Sequence, residues 1–144
     1  MKRFEGKIAV VTGAGGTLCS EIAESLAKEG AILYLVGRTA EKLEKVAEKI
    51  KENGGTAHVF AADVTSKTDM TALAEKMEEK GDLCDFLING AGGNNQKAMP
   101  TLTQFDPREI TSSLPEGEKG IYDIDMEACE SVIHSKTMGT VLPT

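Results

Sequence analysis

The chain is poor in aromatic residues and has no long apolar run. It contains no tryptophan, and aromatic residues make up 4% of its 144 residues, so it offers no stacking platform for single-stranded nucleic acid. A net charge of −7 also argues against nucleic acid, because phosphate backbones favour clustered lysine and arginine. No apolar run approaches the roughly 20 residues that span a bilayer. We therefore expect neither nucleic acid nor a membrane as a partner.

Cysteine is also scarce, and its spacing excludes two common site types. Cys19, Cys84 and Cys129 lie far apart and form no C-x-x-C pair, which predicts neither a disulfide framework nor a zinc site. We expect these thiols to be buried and reduced. His58 and His134 have no acidic or cysteine neighbours at ligand spacing, so no metal site is predicted. The first residues lack the apolar core of a signal peptide, and a cytoplasmic location is expected.

The most informative segment is a glycine-rich stretch that follows the first apolar run. That run, at 8–11, ends on Thr12, and a helical pattern begins directly after three closely spaced glycines: Gly13, Gly15 and Gly16. Glycines let the backbone approach a pyrophosphate, and the N–H groups of a helix start point toward the anion. The strict G-x-G-x-x-G pattern is incomplete because residue 18 is leucine. A purely structural turn is therefore the alternative to a dinucleotide site.

Apolar runs at 8–11, 32–36, 57–61 and 86–88 alternate with segments of helical periodicity. Such near-continuous runs are typical of parallel strands that are covered on both faces. One helix is indicated at 42–51 with Thr39 as its N-cap, and another lies between a capping-box spacing at Ser66 to Asp69 and a stop at Gly81. This alternation predicts a three-layer α/β/α Rossmann fold with a parallel sheet of order 3-2-1-4.

Residues 94–122 have a different character, since they hold three of the four prolines and show no sustained periodicity. A stretch of this length favours a functional lid, an insertion or a poorly ordered segment. A last helix is expected from about 123 to 139, with an apolar stripe of Met126, Cys129, Val132 and Ile133. Residues 1–144 are thus predicted to form one nucleotide-binding Rossmann domain, incomplete after the fourth strand and the helix that follows it.

The residue after the second predicted strand bears on cofactor choice. Dinucleotide folds place an acidic residue near this strand end to bond the ribose 2′-hydroxyl of NAD, whereas an arginine accommodates the 2′-phosphate of NADP. The chain has Arg38 here and no carboxylate. The sequence therefore favours NADP, with NAD as the alternative and a plain surface cation as the structural interpretation.

The ends of the third and fourth predicted strands also suit a dinucleotide. Asp63 and Val64 follow the third strand, where a side chain can meet an adenine ring. Asn89, Ala91 and Gly92 follow the fourth, where small residues let the backbone pass beside the ribose and the nicotinamide. Each signal is modest alone, but their order on consecutive strand ends is specific.

With these motifs the chain resembles the N-terminal half of a short-chain dehydrogenase/reductase. That family is marked by T-G-x-x-x-G-x-G after strand one, D-[VI] after strand three and N-[NG]-A-G after strand four. The residues that match are Thr12, Gly13, Asp63, Val64, Asn89, Ala91 and Gly92. Thr17 and Cys19 depart from the first motif because both stand at glycine positions. We expect the phosphate turn to consist of Gly13, Gly15, Gly16, Thr17 and Leu18, and we expect Cys19 to push the helix outward slightly.

Within the family, Gly-Gly-Thr-Leu-Cys-Ser at 15–20 and Ile-Asn-Gly-Ala-Gly-Gly-Asn at 88–94 are similar to the D-mannonate oxidoreductase or fructuronate reductase branch. The resemblance implies hydride transfer between a nicotinamide cofactor and a sugar acid or a small carbonyl or alcohol. It also implies a small-molecule substrate and homo-oligomer formation. The family's catalytic serine and Tyr-x-x-x-Lys pair are not found in the chain, and the position of a further family asparagine falls at Lys136. We expect a cofactor-binding part that is inactive alone, with its catalytic residues unknown.

Two other functions compete with this interpretation. A non-catalytic nucleotide- or partner-binding module from a degenerate paralogue is favoured by Thr17, Cys19 and Lys136, which all replace motif residues. A nucleotide-binding fold of another family, such as a kinase or a methyltransferase, has less support. The chain has no G-x-x-x-x-G-K-[ST] motif, and Gly37-Arg38 stands where a methyltransferase would have a carboxylate.

Overall fold

Residues 2–144 are described by a computed structural model, in which four strands form one parallel sheet. The strands are β1 (Ile8–Thr12), β2 (Ile32–Gly37), β3 (Thr56–Ala61) and β4 (Phe86–Asn89). Their order is β3-β2-β1-β4, and all three pairings are parallel. This is the predicted order. Because the chain winds away from β1 in both directions, the carboxyl ends of β1 and β4 lie where the winding reverses.

Three helices cover the two faces of the sheet, and a fourth follows later in the chain. They are α1 (Thr17–Lys28), α2 (Ala40–Glu52), α3 (Lys67–Glu79) and α4 (Met126–Val141). Alternate residues of β1 enter different cores: Ala9 and Val11 pack with α1 and α2, whereas Ile8 and Val10 pack with α3. The period of two along a strand and the amphipathic helices therefore produce the predicted three-layer Rossmann fold.

Coverage of the strands is uneven across the sheet. All five residues of β1 and the four central residues of β2 are buried, whereas β3 and β4 are mostly half-buried or exposed. The expectation of strands covered on both faces is therefore right for β1 and β2 and wrong for β3 and β4. The outer strands have a neighbouring strand on one side only, and Phe86 in β4 is 37% exposed.

The two predicted helix caps differ from expectation in detail. Thr39 is the N-cap of α2, but its side chain makes no capping hydrogen bond. The hydroxyl of Ser66 accepts from the Asp69 N–H at 3.2 Å, as a capping residue should. The Asp69 carboxylate does not return to the Ser66 backbone. Instead it accepts from the Ser66 hydroxyl at 3.0 Å and from the Asp63 N–H at 2.8 Å, so it fixes the turn after β3.

The chain divides into two compact units, one of residues 2–91 with 137–144 and one of residues 92–136. The second unit contains three short 3₁₀ helices and most of α4: Gln96–Ala98, Pro107–Glu109 and Ile121–Asp123 precede it. Its irregular backbone is held by the buried Glu109 carboxylate, which accepts from the Asp106 N–H at 2.9 Å and from the Ile121 N–H at 2.8 Å. Residues 94–122 thus contain only short 3₁₀ helices and are held together by internal hydrogen bonds.

Helix α4 differs from its prediction at both ends and in its inward face. It begins at Met126 and continues through Gly139 to Val141, so Gly139 does not end it. A Cβ built on Gly139 would lie 3.0 Å from Val64 Cγ2, which explains a glycine inside this helix. Met126 and Ile133 are 68% and 64% exposed, while Ala128 is buried. The predicted stripe is therefore wrong for its two largest members.

The three thiols are free, but they are not all buried. Cys19 is buried, Cys129 is half-buried and Cys84 is exposed, so the prediction of buried thiols is wrong for Cys84. Across residues 2–144, no group of three or more His, Cys, Asp or Glu side chains could hold a metal ion. No helix in the described part of the chain is long and apolar enough to span a membrane.

Candidate functional site

The turn between β1 and α1 requires glycine at its first position. Gly13 has φ of 66°, in the left-handed region, and its carbonyl accepts from the Gly16 N–H at 2.9 Å. A Cβ built on Gly13 would lie 2.7 Å from the carbonyl oxygen of Gly90 in the loop after β4. A side chain there would both strain the backbone and displace that loop. Gly13 thus lets two strand ends meet without a side chain between them.

The start of α1 has the properties of an anion site. Gly16 is the N-cap, no side chain caps the helix, and the first turn contains no acidic residue. The first N–H groups of a helix have no intrahelical acceptor, and together with the helix dipole they favour a bound anion. Thr17 and Leu18 begin the helix, and the Leu18 side chain is 73% exposed. The sequence-predicted phosphate turn is therefore accessible and carries no competing negative charge.

Thr12 joins the end of β1 to the loop after β4. It is fully buried, and its hydroxyl oxygen accepts from the Gly90 N–H at 3.1 Å and from the Ala91 N–H at 3.2 Å. The same hydroxyl donates to the Ile88 carbonyl at 3.4 Å. The sequence motif marks Thr12 as a family match but does not predict these hydrogen bonds. The signal it missed is a hydroxyl at the end of an otherwise apolar buried strand, where a buried polar group needs a partner.

Cys19 lies in α1 beside the same loop. Its side chain is 6% exposed, and burial raises the pKa of its thiol, so the sulfur stays protonated and unreactive at neutral pH. A Cβ built on Gly90 would overlap this sulfur. The sulfur fits against the loop because residue 90 has no side chain.

Arg38 is the residue directly after β2, and its side chain is exposed. None of the ion pairs among residues 2–144 includes it. Gly15 of the glycine turn lies nearby against α2, since a Cβ built on it would be 3.0 Å from the Cβ of Lys42. The end of β2 and the first turn of α2 therefore carry two cationic residues, Arg38 and Lys42, and the stem of Lys42 packs against the glycine turn.

Asp63 and Val64 have different surroundings after β3. One Asp63 carboxylate oxygen accepts from the Thr65 N–H at 2.8 Å and from the Thr65 hydroxyl at 2.7 Å, which orders the turn. Val64 is 7% exposed and packs with the core on the α3 face of the sheet. Val64 therefore offers its backbone, rather than a free side chain, to any ligand at this strand end.

The residues after β4 are held in two ways. The Asn89 amide donates to the Thr144 hydroxyl at 3.3 Å, and the N–H of Ala91 is bound by Thr12 as described. Gly92 is the first residue of the second unit and has φ of 157°. Within that unit the Lys136 ammonium donates to the Asn94 amide oxygen at 3.1 Å. The contribution of Gly92 to a ligand site stays a prediction.

Tyr34, the tyrosine of the first unit, does not lie at the carboxyl edge of the sheet. Tyr34 is at the middle of β2, 1% exposed, and its hydroxyl donates to the Asp82 carboxylate. Burial and this hydrogen bond raise the pKa of Tyr34 to about 12. Tyr122 lies in the second unit and is 74% exposed. The Tyr34 hydroxyl therefore makes a structural hydrogen bond and is not placed to transfer a proton to a ligand at the strand ends.

The first unit brings most of the predicted residues to one edge. Because all four strands are parallel, the residues that follow them lie at the same end of the sheet. The residues placed there are Gly13, Gly15, Gly16, Thr17, Leu18, Arg38, Asp63, Val64, Asn89 and Ala91. The arrangement can bind an extended anionic ligand along this edge, with backbone N–H groups at its centre and cations to one side.

Comparison with known proteins agrees with this geometry. The family model described as short chain dehydrogenase matches residues 7–142. An uncharacterized oxidoreductase of Haemophilus influenzae is 36% identical over 98% of this chain and 48% of its own length. The 7alpha-hydroxysteroid dehydrogenase of Clostridium sardiniense is 32% identical over 99% of this chain and 58% of its own length.

Solved structures give the same result. A Haemophilus influenzae protein, described as a candidate D-mannonate oxidoreductase and crystallised with bound NAD, superposes with a TM-score of 0.85 at 36% identity, covering 97% of this chain and 48% of that one. An NAD⁺-bound xylitol dehydrogenase superposes with a TM-score of 0.76 at 27% identity, covering 99% and 46%. The chain spans about half the length of these relatives.

Proposed function

The chain belongs to the short-chain dehydrogenase family of oxidoreductases, and from this premise we propose that it binds a nicotinamide dinucleotide along the carboxyl edge of its sheet. The observation that carries the proposal is the junction of β1, α1 and the loop after β4. There Gly13 and Gly90 let the glycine turn, α1 and the loop after β4 pack closely, since a Cβ on either glycine would clash with the neighbouring segment. The uncapped start of α1 beside them presents a surface of backbone N–H groups. This surface fits the pyrophosphate of a dinucleotide.

In this proposal, each group of residues contacts a different part of the cofactor. The backbone of Gly15, Gly16 and Thr17 holds the pyrophosphate, and Asp63 with Val64 meets the adenine. Asn89 and Ala91, with Gly92 in the next unit, line the ribose and the nicotinamide. When bound, the nicotinamide supplies hydride chemistry, while the protein supplies binding and orientation.

For the cofactor, we favour NADP over NAD because of Arg38. Its exposed guanidinium has no ion-pair partner among the described residues and follows β2, where a ribose 2′-substituent lies in this fold. The Haemophilus influenzae structure contains NAD, which makes NAD the alternative. Arginine bonds phosphate oxygens in a bidentate geometry, so a 2′-phosphate would add charge-assisted hydrogen bonds.

The substrate class follows from relatives and is a coarser proposal. A sugar acid, or a small carbonyl or alcohol, agrees with the D-mannonate oxidoreductase description of one neighbour and with the xylitol dehydrogenase. The chain has no Tyr-x-x-x-Lys sequence, so we propose that residues 1–144 alone bind cofactor in the cytoplasm without turning over substrate.

The proposal is tested by calorimetric titration of the 144-residue chain with NAD⁺ and with NADP⁺. We expect saturable 1:1 binding of at least one dinucleotide and its loss in Gly13→Val, which places a branched side chain against the Gly90 carbonyl. Gly117→Val is the matched control, because Gly117 also has positive φ but no atom lies within 4 Å of its added Cβ. Absence of binding by the unaltered chain would refute the proposed function.

Cofactor choice is tested by Arg38→Ala. We expect NADP⁺ binding to weaken by about 1.5–3 kcal/mol, the range for a lost charge-assisted contact, with a much smaller change for NAD⁺. Lys45→Ala removes the same charge from the exposed face of α2 and serves as the control. Equal weakening for both dinucleotides would show that Arg38 does not contact the 2′-phosphate.

The second candidate is a non-catalytic module. It is favoured by Thr17 and Cys19 at two glycine positions of the motif and by Lys136 in place of an asparagine. Dinucleotide binding without turnover, persisting when a C-terminal half from a related enzyme is added, would support it. Oxidation of a sugar acid or an alcohol by that combined protein would exclude it.

A further inference from the structure

Residue 90 lies in a space that three other residues define. The Thr12 hydroxyl binds its N–H at 3.1 Å, and its carbonyl oxygen lies against Gly13, where an added Cβ would approach to 2.7 Å. On the third side is Cys19 of α1, whose sulfur stands where a Cβ of residue 90 would be. The loop after β4 is thus bounded by the strand end, the glycine turn and the helix.

The Cys19 sulfur occupies the space that the Cβ of a side chain at residue 90 would otherwise fill. A Cβ built on Gly90 would overlap the Cys19 sulfur but would lie 3.6 Å from the Cys19 Cβ, which is ordinary van der Waals contact. One heavy atom therefore fills this space, and it belongs to residue 19 rather than to residue 90. Cys19 stands at a position where the family motif has glycine, so the atom compensates for the missing side chain at residue 90.

We propose that Cys19 is a positioning residue for dinucleotide binding, whose sulfur sets the distance between the first turns of α1 and the loop at 89–91. This inference rests on the proposed function, in which the start of α1 holds the pyrophosphate and the loop at 89–91 lines the neighbouring ribose and nicotinamide. It differs from the initial expectation that Cys19 displaces the helix, since the sulfur fills a space that Gly90 leaves open. Close-packed interiors transmit a change of one heavy atom to their neighbours.

The proposal predicts that the two single variants change the spacing between α1 and the loop in opposite directions, and that the double variant restores it. Cys19→Ala removes the sulfur and leaves a gap, so the loop can approach α1. Gly90→Ala adds a methyl group that overlaps the sulfur and pushes the two segments apart. In Cys19→Ala/Gly90→Ala the heavy atom moves from one side to the other, and the spacing returns. A small steric conflict remains in the double variant, because the new Cβ lies 2.9 Å from the Thr12 carbonyl oxygen.

The test is a double-mutant cycle on the 144-residue chain with two readouts, the melting temperature and the dissociation constant of the preferred dinucleotide. Titrations are done well below every melting temperature so that only folded protein is compared. We expect Gly90→Ala to weaken binding about tenfold or more and Cys19→Ala about threefold. The double variant should bind within about threefold of the unaltered chain, and Cys19→Ser, which keeps the size of the side chain, should do the same.

Two control variants make the same chemical changes elsewhere. Cys84→Ala removes an exposed thiol, and Gly93→Ala adds a Cβ with no atom within 4 Å. Both should leave the dissociation constant unchanged. Binding losses that simply add in the double variant would overturn the inference, and so would a cycle that moves the melting temperature but not the affinity. Failure of the unaltered chain to bind any dinucleotide would instead refute the proposed function itself.

Discussion

At the residue scale, the candidate site depends on a single buried hydroxyl. Thr12 satisfies two N–H groups of the loop after β4 and so fixes the height of that loop above the sheet. A valine of the same shape would leave both N–H groups without this acceptor. An unsatisfied buried polar group costs roughly 1–3 kcal/mol, so the loop would shift toward water or the fold would lose stability.

We therefore expect Thr12→Val to lower the free energy of unfolding by about 2 kcal/mol and to weaken dinucleotide binding more than tenfold. Thr12→Ser retains the hydroxyl and should keep binding close to that of the unaltered chain. Urea unfolding and calorimetric titration measure the two effects. A valine variant that binds normally would mean that the loop holds its position without Thr12.

At the scale of elements, α1 differs from the other helices of the first unit. The first turns of α2 and α3 contain Glu41 and Asp69, and Ser66 caps α3 with its side chain. Helix α1 has neither an acid in its first turn nor a side-chain cap. An acidic side chain in the first turn would stabilise the helix by about 0.3–1 kcal/mol through its interaction with the helix dipole. The absence of such a residue in α1 makes the helix less stable but leaves its positive end open to a ligand.

This omission predicts a trade-off between stability and binding. Thr17→Asp should raise the free energy of unfolding by a few tenths of a kcal/mol through the dipole, yet weaken dinucleotide binding by repelling the pyrophosphate. Thr17→Asn has the same shape without the charge and is the control. The two variants are compared by urea unfolding and by titration at low and moderate salt. Equal affinities for the aspartate and asparagine variants would place the phosphate away from α1.

Sequence periodicity predicted the elements of the first unit well, and the reason is physical. Each strand there contains a short apolar run, which is fully buried in β1 and in the centre of β2, and each helix has one apolar face that packs on the sheet. Helix α4 was predicted less well because its inward face is made of small residues such as Ala128 and Gly139, whereas Met126 and Ile133 face solvent. Hydrophobicity alone points to the wrong side of such a helix.

The candidate site was predicted only in part. Glycines and strand-end residues have recognisable spacing, so Gly13, Arg38 and Asp63 could be placed from sequence. The contacts that bind distant segments have no local signal. Thr12 lies 78 residues from Gly90, and the fit of Cys19 against Gly90 appears only once β1 and β4 are adjacent.

At the scale of the whole molecule, the side of the sheet opposite α1 and α2 contains a buried polar link. The Tyr34 hydroxyl in β2 donates to Asp82, which follows α3, and the Tyr34 ring lies 4.9 Å from the His58 ring in β3. This link ties the centre of the sheet to the chain segment that leads into β4. Its hydrogen bond exists only while the phenol keeps its proton.

Stability should therefore fall at high pH for a definable reason. The folded pKa of Tyr34, about 12, lies above the ordinary value of about 10, so folding favours the protonated phenol. That contribution is fully present below about pH 10 and is lost as the pH rises toward 12. In urea unfolding between pH 8 and 12, the stability advantage of the unaltered chain over Tyr34→Phe should shrink above pH 10. Tyr122→Phe changes an exposed ring and should follow the unaltered chain throughout.

The pairing of β1 with β4 also has a consequence for the order in which the chain folds. Local helices and the β1–β2 pair can form from neighbouring segments, whereas the Thr12 hydrogen bonds close loops of 78 and 79 residues. Closing a long loop costs conformational entropy, which only later contacts offset. Such pairings therefore form late and slow the folding rate. A dinucleotide added during refolding should therefore leave the early phases unchanged and bind only as the last phase is completed.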